Sequence, residues 1–202
     1  MNITNIYMDM VQAGGMPQMV FEYILKQNGI DPFKDLTIDQ SIDFGSTAAA
    51  FSSGLGDFSV EFEPAATALE QEGTGFVVAS LGVDSGYVPY TSYSAKTSYI
   101  EENPEIIQKF TNALQKGLDY VQKHSPEEIA AVIAPQFPEN DLETITTIVS
   151  RYHTQDTWKA NLIFEKESFE LLQDILDTAG ELNQRVDYEN LVNTKFAEAA
   201  QN

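Results

Sequence analysis

Apolar positions recur along this chain in two rhythms, and the change between them divides it. Up to about residue 84, short alternating or continuous apolar runs are separated by helical ones. Ile6, Met8 and Met10 alternate, which predicts a short strand within residues 1–12. Met19, Val20, Tyr23 and Ile24 then recur at helical spacing, opened by Gly14, Gly15 and Pro17 and stopped by Asn28-Gly29. Residues 36–40 read as a strand. Gly45-Ser46-Thr47 opens a helix through Ala48 to Phe51, Gly54 and Gly56 turn the chain, and Phe58, Val60 and Phe62 alternate as a further strand. Pro64 stands where a first helical residue belongs, with Glu63 just before it. Residues 75–81, GFVVASL, predict a strand buried on both faces. Strands alternating with helices imply a mostly parallel α/β lobe.

The second rhythm is helical. Tyr87, Tyr90 and Tyr93 lie in an aromatic-rich run interrupted by Pro89, predicted to be extended and to cross between lobes or lie at a sheet edge. Asn103-Pro104 caps a helix whose stripe of Ile106, Ile107, Phe110, Leu114, Leu118 and Val121 is expected to be core. Ser125-Pro126-Glu127-Glu128 fits a capping box, and Pro135 ends the helix it opens. Residues 140–143 repeat a capping pattern ahead of Ile145, Val149 and Tyr152. Phe169, Leu172, Ile175 and Leu176 mark a helix stopped by Gly180, and one last helix is predicted from Tyr188 towards Ala200.

Composition narrows the function classes. With 202 residues and 43% hydrophobic content, the chain can bury a core in one large or two small lobes. A formal net charge of −20 argues against nucleic acid, whose phosphates a polyanionic surface repels, and against anionic membranes. The absence of cysteine removes disulfides, thiolate nucleophiles, thiolate metal sites and an amino-terminal lipid anchor. The first residues lack the basic start and apolar core of a signal peptide, and no run approaches membrane-spanning length. His124 and His153 fall near helix ends, where the dipole favours them as caps, and no Ser-His-Asp arrangement can be assembled. Asp43, Asp57, Glu61 and Glu63 have the chemistry of an acid/base pair or a hard-metal site, but their spacing matches no metal loop. Solvated charge is the expectation for most of them, and neither a metal nor a cofactor is expected.

The order helix, SSGLGD, strand, Glu63-Pro64, helix resembles the second lobe of extracytoplasmic substrate-binding proteins of ABC importers, in the group handling thiamine pyrimidine precursors, sulfonates and nitrate. Residues 13–31 (AGGMPQMVFEYILKQNGID) look like that family's glycine-opened helix, and residues 85–94 (SGYVPYTSYS) like its crossover strand. Residues 101–124 (EENPEIIQKFTNALQKGLDYVQKH) are similar to its long helix beginning Asn-Pro-Glu. The resemblance implies a fold like the type II periplasmic binding proteins. Residues 1–84 would form one α/β lobe, the second of the binding protein, and residues 85–202 the crossover strand and the mostly helical remainder of the first. It further implies a solute-binding protein working outside the cytoplasmic membrane with an ABC permease.

By the same resemblance the ligand lies between the helix starts at Gly14, Gly15, Ser46 and Thr47, the carboxylates of Glu61 and Glu63, and the rings of Tyr87 and Tyr90. Glu63 would pair with a ring amine or protonated nitrogen through a charge-assisted hydrogen bond, with Glu61 as a second acceptor. Family members that take sulfonate or nitrate use helix starts and hydroxyls instead, which Gly15, Ser46 and Thr47 supply. Two nearby carboxylates disfavour an anion in a closed cleft, so an amine-bearing ring is the expectation. Pyrimidine synthases of this superfamily use a cysteine-rich motif and an active-site histidine. Nothing comparable stands here, so the chain is expected not to be an enzyme. The match opens already in the second lobe, which predicts a truncated binding protein whose exposed helix stripes are covered by a second copy as a homo-oligomer. Such a chain either binds its solute weakly or persists as an oligomer with no ligand.

Overall fold

Alternating apolar residues become strands only where a neighbour completes the hydrogen-bond ladder, and three short segments do so here. The structure, a computed structural model, describes residues 5–8 and 15–201. β1 (Asn5–Met8) lies between β2 (Thr37–Asp39) and β3 (Phe58–Val60) in a sheet of order β2-β1-β3, parallel throughout. The register pairs Ile6 with Ile38 on one side and with Phe58 on the other. Two helices make the crossovers. α1 (Met16–Gln27) starts at Gly15, carries Pro17 in its first turn and ends at Asn28, with Gly29 at φ 74°. A 3₁₀ turn (Phe44–Ser46) leads into α2 (Thr47–Ser52), so Ser46 precedes the α-helix without donating or accepting a side-chain cap. Gly54 (φ 90°) and Gly56 (φ 76°) then turn the chain into β3, a conformation that side-chain-bearing residues rarely adopt. α3 (Ala65–Gln71) begins one residue later than expected: Pro64 caps it, after a cis Glu63–Pro64 peptide.

Two units divide the chain: Met1–Val88 with Leu171–Gln184, and Pro89–Glu170 with Arg185–Asn202. In the first, α1 buries Met19 and Val20 against Ile175, which is fully buried, and Leu81, Leu171 and Leu176 pack around them. Lys26 Nζ donates to the Thr178 carbonyl at 3.2 Å, a polar tie to the same returning segment. Phe21, Leu36, Ile38 and Val60 belong to a second apolar cluster.

The expectation of a buried strand at residues 75–81 is not met. Residues 75–80 carry no regular structure, and α4 (Leu81–Asp84) takes up the end of the run. Phe76 is 79% exposed and Val78 73%. The backbone is drawn onto α3 instead of a strand: Gly75 N donates to the Leu69 carbonyl at 3.2 Å, and Val77 N to Glu70 Oε1 at 2.9 Å. Residues 87–96 likewise form no strand.

The second unit is helical. α5 (Thr97–Glu102) and α6 (Pro104–Lys123) are followed by α7 (Pro126–Ile133), which opens on the expected capping box of Ser125 and Glu128. α8 (Leu142–Thr154) packs on α7, burying Ile129, Ala130, Ile145 and Val149 with Trp158 at the edge. The α6 stripe is not the core that its periodicity predicts. Ile106 and Phe110 are about half exposed, Ile107, Leu114, Leu118 and Val121 are half-buried, and the buried residue of the helix is Gln115. α11 (Lys195–Ala200) packs on α6 but covers only part of that face. α9 (Lys166–Thr178) begins in this unit and runs into the first. The single closing helix is also corrected: α10 (Tyr188–Leu191) and α11 are separated by an extended Val192.

Asp141 caps α8, its Oδ1 accepting from Thr144 N at 2.8 Å, and this bond holds its carboxyl below the usual carboxylate range. A lowered folded value stabilises the helix above the unfolded carboxylate pKa of about 3.9, and the benefit is lost as pH falls through the folded value. Asp141→Asn keeps an equally good cap but no charge. Acid unfolding followed by circular dichroism should therefore lose part of its pH dependence below about pH 4 in that variant.

Candidate functional site

In a parallel sheet of order 2-1-3 the strand order switches between β1 and β3, and α/β sheets bind ligands outside the carboxyl ends of the strands at such a switch. Gly15 follows β1 and begins α1, while Glu61 and Glu63 follow β3 and lead into α3. Glu61 and Glu63 thus stand at the carboxyl end of β3, beside the start of α3.

Glu61 is half-buried, and both of its oxygens are held by hydroxyls. Ser59 Oγ donates to Oε1 at 2.5 Å and Thr47 Oγ1 to Oε2 at 3.2 Å. Thr47 is 2% exposed, so the first residue of α2 is fixed inside the unit with its hydroxyl on this carboxylate. Glu63 Oε2 accepts from the Thr67 backbone N at 3.1 Å and from Thr67 Oγ1 at 2.8 Å. Thr67 is equally buried. Among the described residues, no ammonium or guanidinium group reaches Glu61. Neutral donors orient a carboxylate without cancelling its charge, so it remains available to a cationic or amine-bearing group.

A family model described as the NMT1-like family matches residues 2–134. The chain belongs to the NMT1-like family. It is also 43% identical, over 187 residues, to a Bacillus subtilis (strain 168) protein named "Putative binding protein YtlA". That match covers 93% of this chain and 56% of the relative, so the chain spans little more than half the length of the curated relative it matches.

In this NMT1-like chain the other expected site residues are distributed as follows. Gly14 lies outside the described residues. Ser46 is exposed in the 3₁₀ turn beside Thr47. Tyr87 is 70% exposed in the first unit, whereas Tyr90, 60% exposed, belongs to the second. His124 caps the end of α6, with Nδ1 2.8 Å from the Tyr120 carbonyl and its ring stacked on Tyr120 at 3.6 Å, and His153 sits in the last turn of α8. Among the described residues, no group of three or more histidines and carboxylates could hold a metal ion, and no helix is long and apolar enough to cross a membrane. Ser59 and Thr67, which hold the two carboxylates, are not among the residues that the sequence singles out. Thr67 stands four residues after Glu63, the spacing that lets side chains of one helical turn meet, and that signal was available.

Proposed function

We propose that this chain is the solute-binding component of an ABC importer, working outside the cytoplasmic membrane with a permease partner and taking a small amine-bearing ring such as a thiamine pyrimidine precursor. The reading rests on membership of the NMT1-like family and on the relative named as a binding protein. One observation supports this ligand class: Glu61 is held by two neutral hydroxyls, with Glu63 two residues on and engaged by Thr67. An anion brought beside the Glu61 carboxylate, whose two hydroxyl donors carry no charge, meets charge of its own sign, whereas a ring amine or protonated ring nitrogen gains a charge-assisted hydrogen bond. Gly15, at the start of α1, supplies backbone donors for a carbonyl or hydroxyl substituent on the same ligand, and Tyr87 supplies a ring to stack on it.

Thermal-shift and calorimetric titrations with an aminopyrimidine, an alkylsulfonate and nitrate test this reading. The aminopyrimidine should stabilise the protein, by about 2.7 kcal/mol at a free concentration a hundred times its Kd, and the two anions should not. Saturable binding of the sulfonate or nitrate, without binding of the aminopyrimidine, would overturn it.

A further inference from the structure

Asn28 and Gly29, which end α1, are the one Asn-Gly pair of the chain. Such a pair carries chemistry of its own. The amide nitrogen that follows an asparagine can attack the side-chain carbonyl carbon, and glycine, lacking a Cβ, hinders that attack least. Here the atoms that must react are tied. Asn28 Nδ2 donates to the Ile24 carbonyl at 2.9 Å, and Gly29 N donates to the Lys26 carbonyl at 3.1 Å. Ile30 N closes the turn on the Leu25 carbonyl at 3.0 Å, with Gly29 left-handed at φ 74°. These two backbone bonds around a left-handed residue make a Schellman closure. Hydrogen bonds rather than packing hold it shut: Gln27, Asn28 and Gly29 are all exposed, and a Cβ added to Gly29 would meet nothing within 4 Å.

We propose that Asn28 is a deamidation site, and that the Schellman closure of α1 is the gate on the reaction.

The chemistry needs only water. With the closure open, Gly29 N gives up its proton and bonds to Cγ of Asn28, the Cγ–Nδ2 bond breaks, and ammonia leaves with that proton's equivalent. The product is a five-membered succinimide. Water opens this ring at either carbonyl, leaving aspartate or isoaspartate at position 28, so the sum is water consumed and ammonia released. While the closure is shut, the Lys26 carbonyl holds the proton of the nucleophile and the Ile24 carbonyl holds the leaving group. The rate in the folded protein is therefore the intrinsic rate multiplied by the fraction of time that the last turn is open.

The product does not restore the gate. A carboxylate has no hydrogen to give the Ile24 carbonyl, and its charge falls at the negative end of the helix dipole. Isoaspartate also puts an extra atom into the backbone of the closure. The helix end loosened in this way is the one from which Lys26 reaches the Thr178 carbonyl, so modification weakens a tie within the first unit. The inference is independent of solute binding at Glu61 and Glu63.

Protein aged at mildly alkaline pH and then cut with trypsin releases the site as residues 27–34, QNGIDPFK, between Lys26 and Lys34. Mass spectrometry should find aspartate and isoaspartate products in this peptide before any other asparagine is changed. They should form at least about tenfold more slowly in the folded chain than in the same chain unfolded in urea. That slowing should match, within about threefold, the protection of the Gly29 and Ile30 amides against hydrogen exchange. Asn28→Asp, which carries the charge of the product on an unaltered backbone, should lower that protection by about threefold or more. Equal rates in folded and unfolded chains, a first product at another asparagine, slowing unrelated to amide protection, or full protection in Asn28→Asp would each overturn the proposal.

Discussion

Ile175→Ala should cost the first unit about 3 kcal/mol, within the range of about 2–5 kcal/mol for truncating a fully buried aliphatic side chain. Ile175 is completely buried and meets Met19 and Val20 of α1, so the lost methyl groups leave a cavity in the cluster that holds α1. Hydrogen exchange reads this directly: amides in the middle of α1 should exchange about 150-fold faster if their opening requires unfolding of the unit. Trp158, the one tryptophan, packs in the second unit and reports on that unit separately. Ile106→Ala, half-exposed on α6, serves as the contrast and should fall within about 0.5 kcal/mol of the parent. A cost below about 1 kcal/mol at Ile175 would remove the returning segment from the first unit's core.

The second large effect is expected on affinity. Glu63→Gln keeps an oxygen able to accept from Thr67 N and Oγ1, so the local fold should survive, but it removes the charge offered to a ring amine. The loss of a charged hydrogen bond costs about 1.5–3 kcal/mol, so calorimetry should show aminopyrimidine binding weakened by about ten- to 150-fold. Glu127→Gln, a carboxylate in the first turn of α7 in the second unit, should leave it unchanged. Unchanged affinity in Glu63→Gln would remove Glu63 from the site while leaving open a site centred on Glu61. Thr67→Val tests the support: the Glu63 carboxylate keeps its charge but loses its buried hydroxyl donor, so affinity should fall less than in Glu63→Gln.

What the sequence disclosed, and what it withheld, follows from how local each feature is. The capping box at Ser125 and Glu128, the αL stops at Gly29 and Gly180 and the turn at Gly54 and Gly56 are written in residues a few positions apart, and all are found. The three strands were legible too, because alternation states which residues prefer a pleated, half-covered surface. GFVVASL states that preference most strongly and yet forms no strand, because pairing depends on a neighbour and the sheet is bounded by β3 among the described residues. The α6 stripe failed for the same reason: periodicity says which face seeks cover, not how much cover the remaining chain provides. At the sheet edge, Glu61 and Glu63 were visible from their place after an alternating run. That the Thr47 hydroxyl lies on Glu61, fourteen residues away, could only come from the fold.

Leu171–Gln184 closes the core of a unit that otherwise ends at Val88, and this sets a timetable for the newborn chain. Once residue 88 has been made, the α1 face bearing Met19 and Val20 waits for Ile175 while the ribosome adds the 96 residues to position 184 (184 − 88). At about 5–20 residues per second, that interval is roughly 5–20 s. The second unit is completed only by Arg185–Asn202, so each unit waits on a segment made after most of the other. Chaperones that shield an apolar amphipathic helix have their window in that interval.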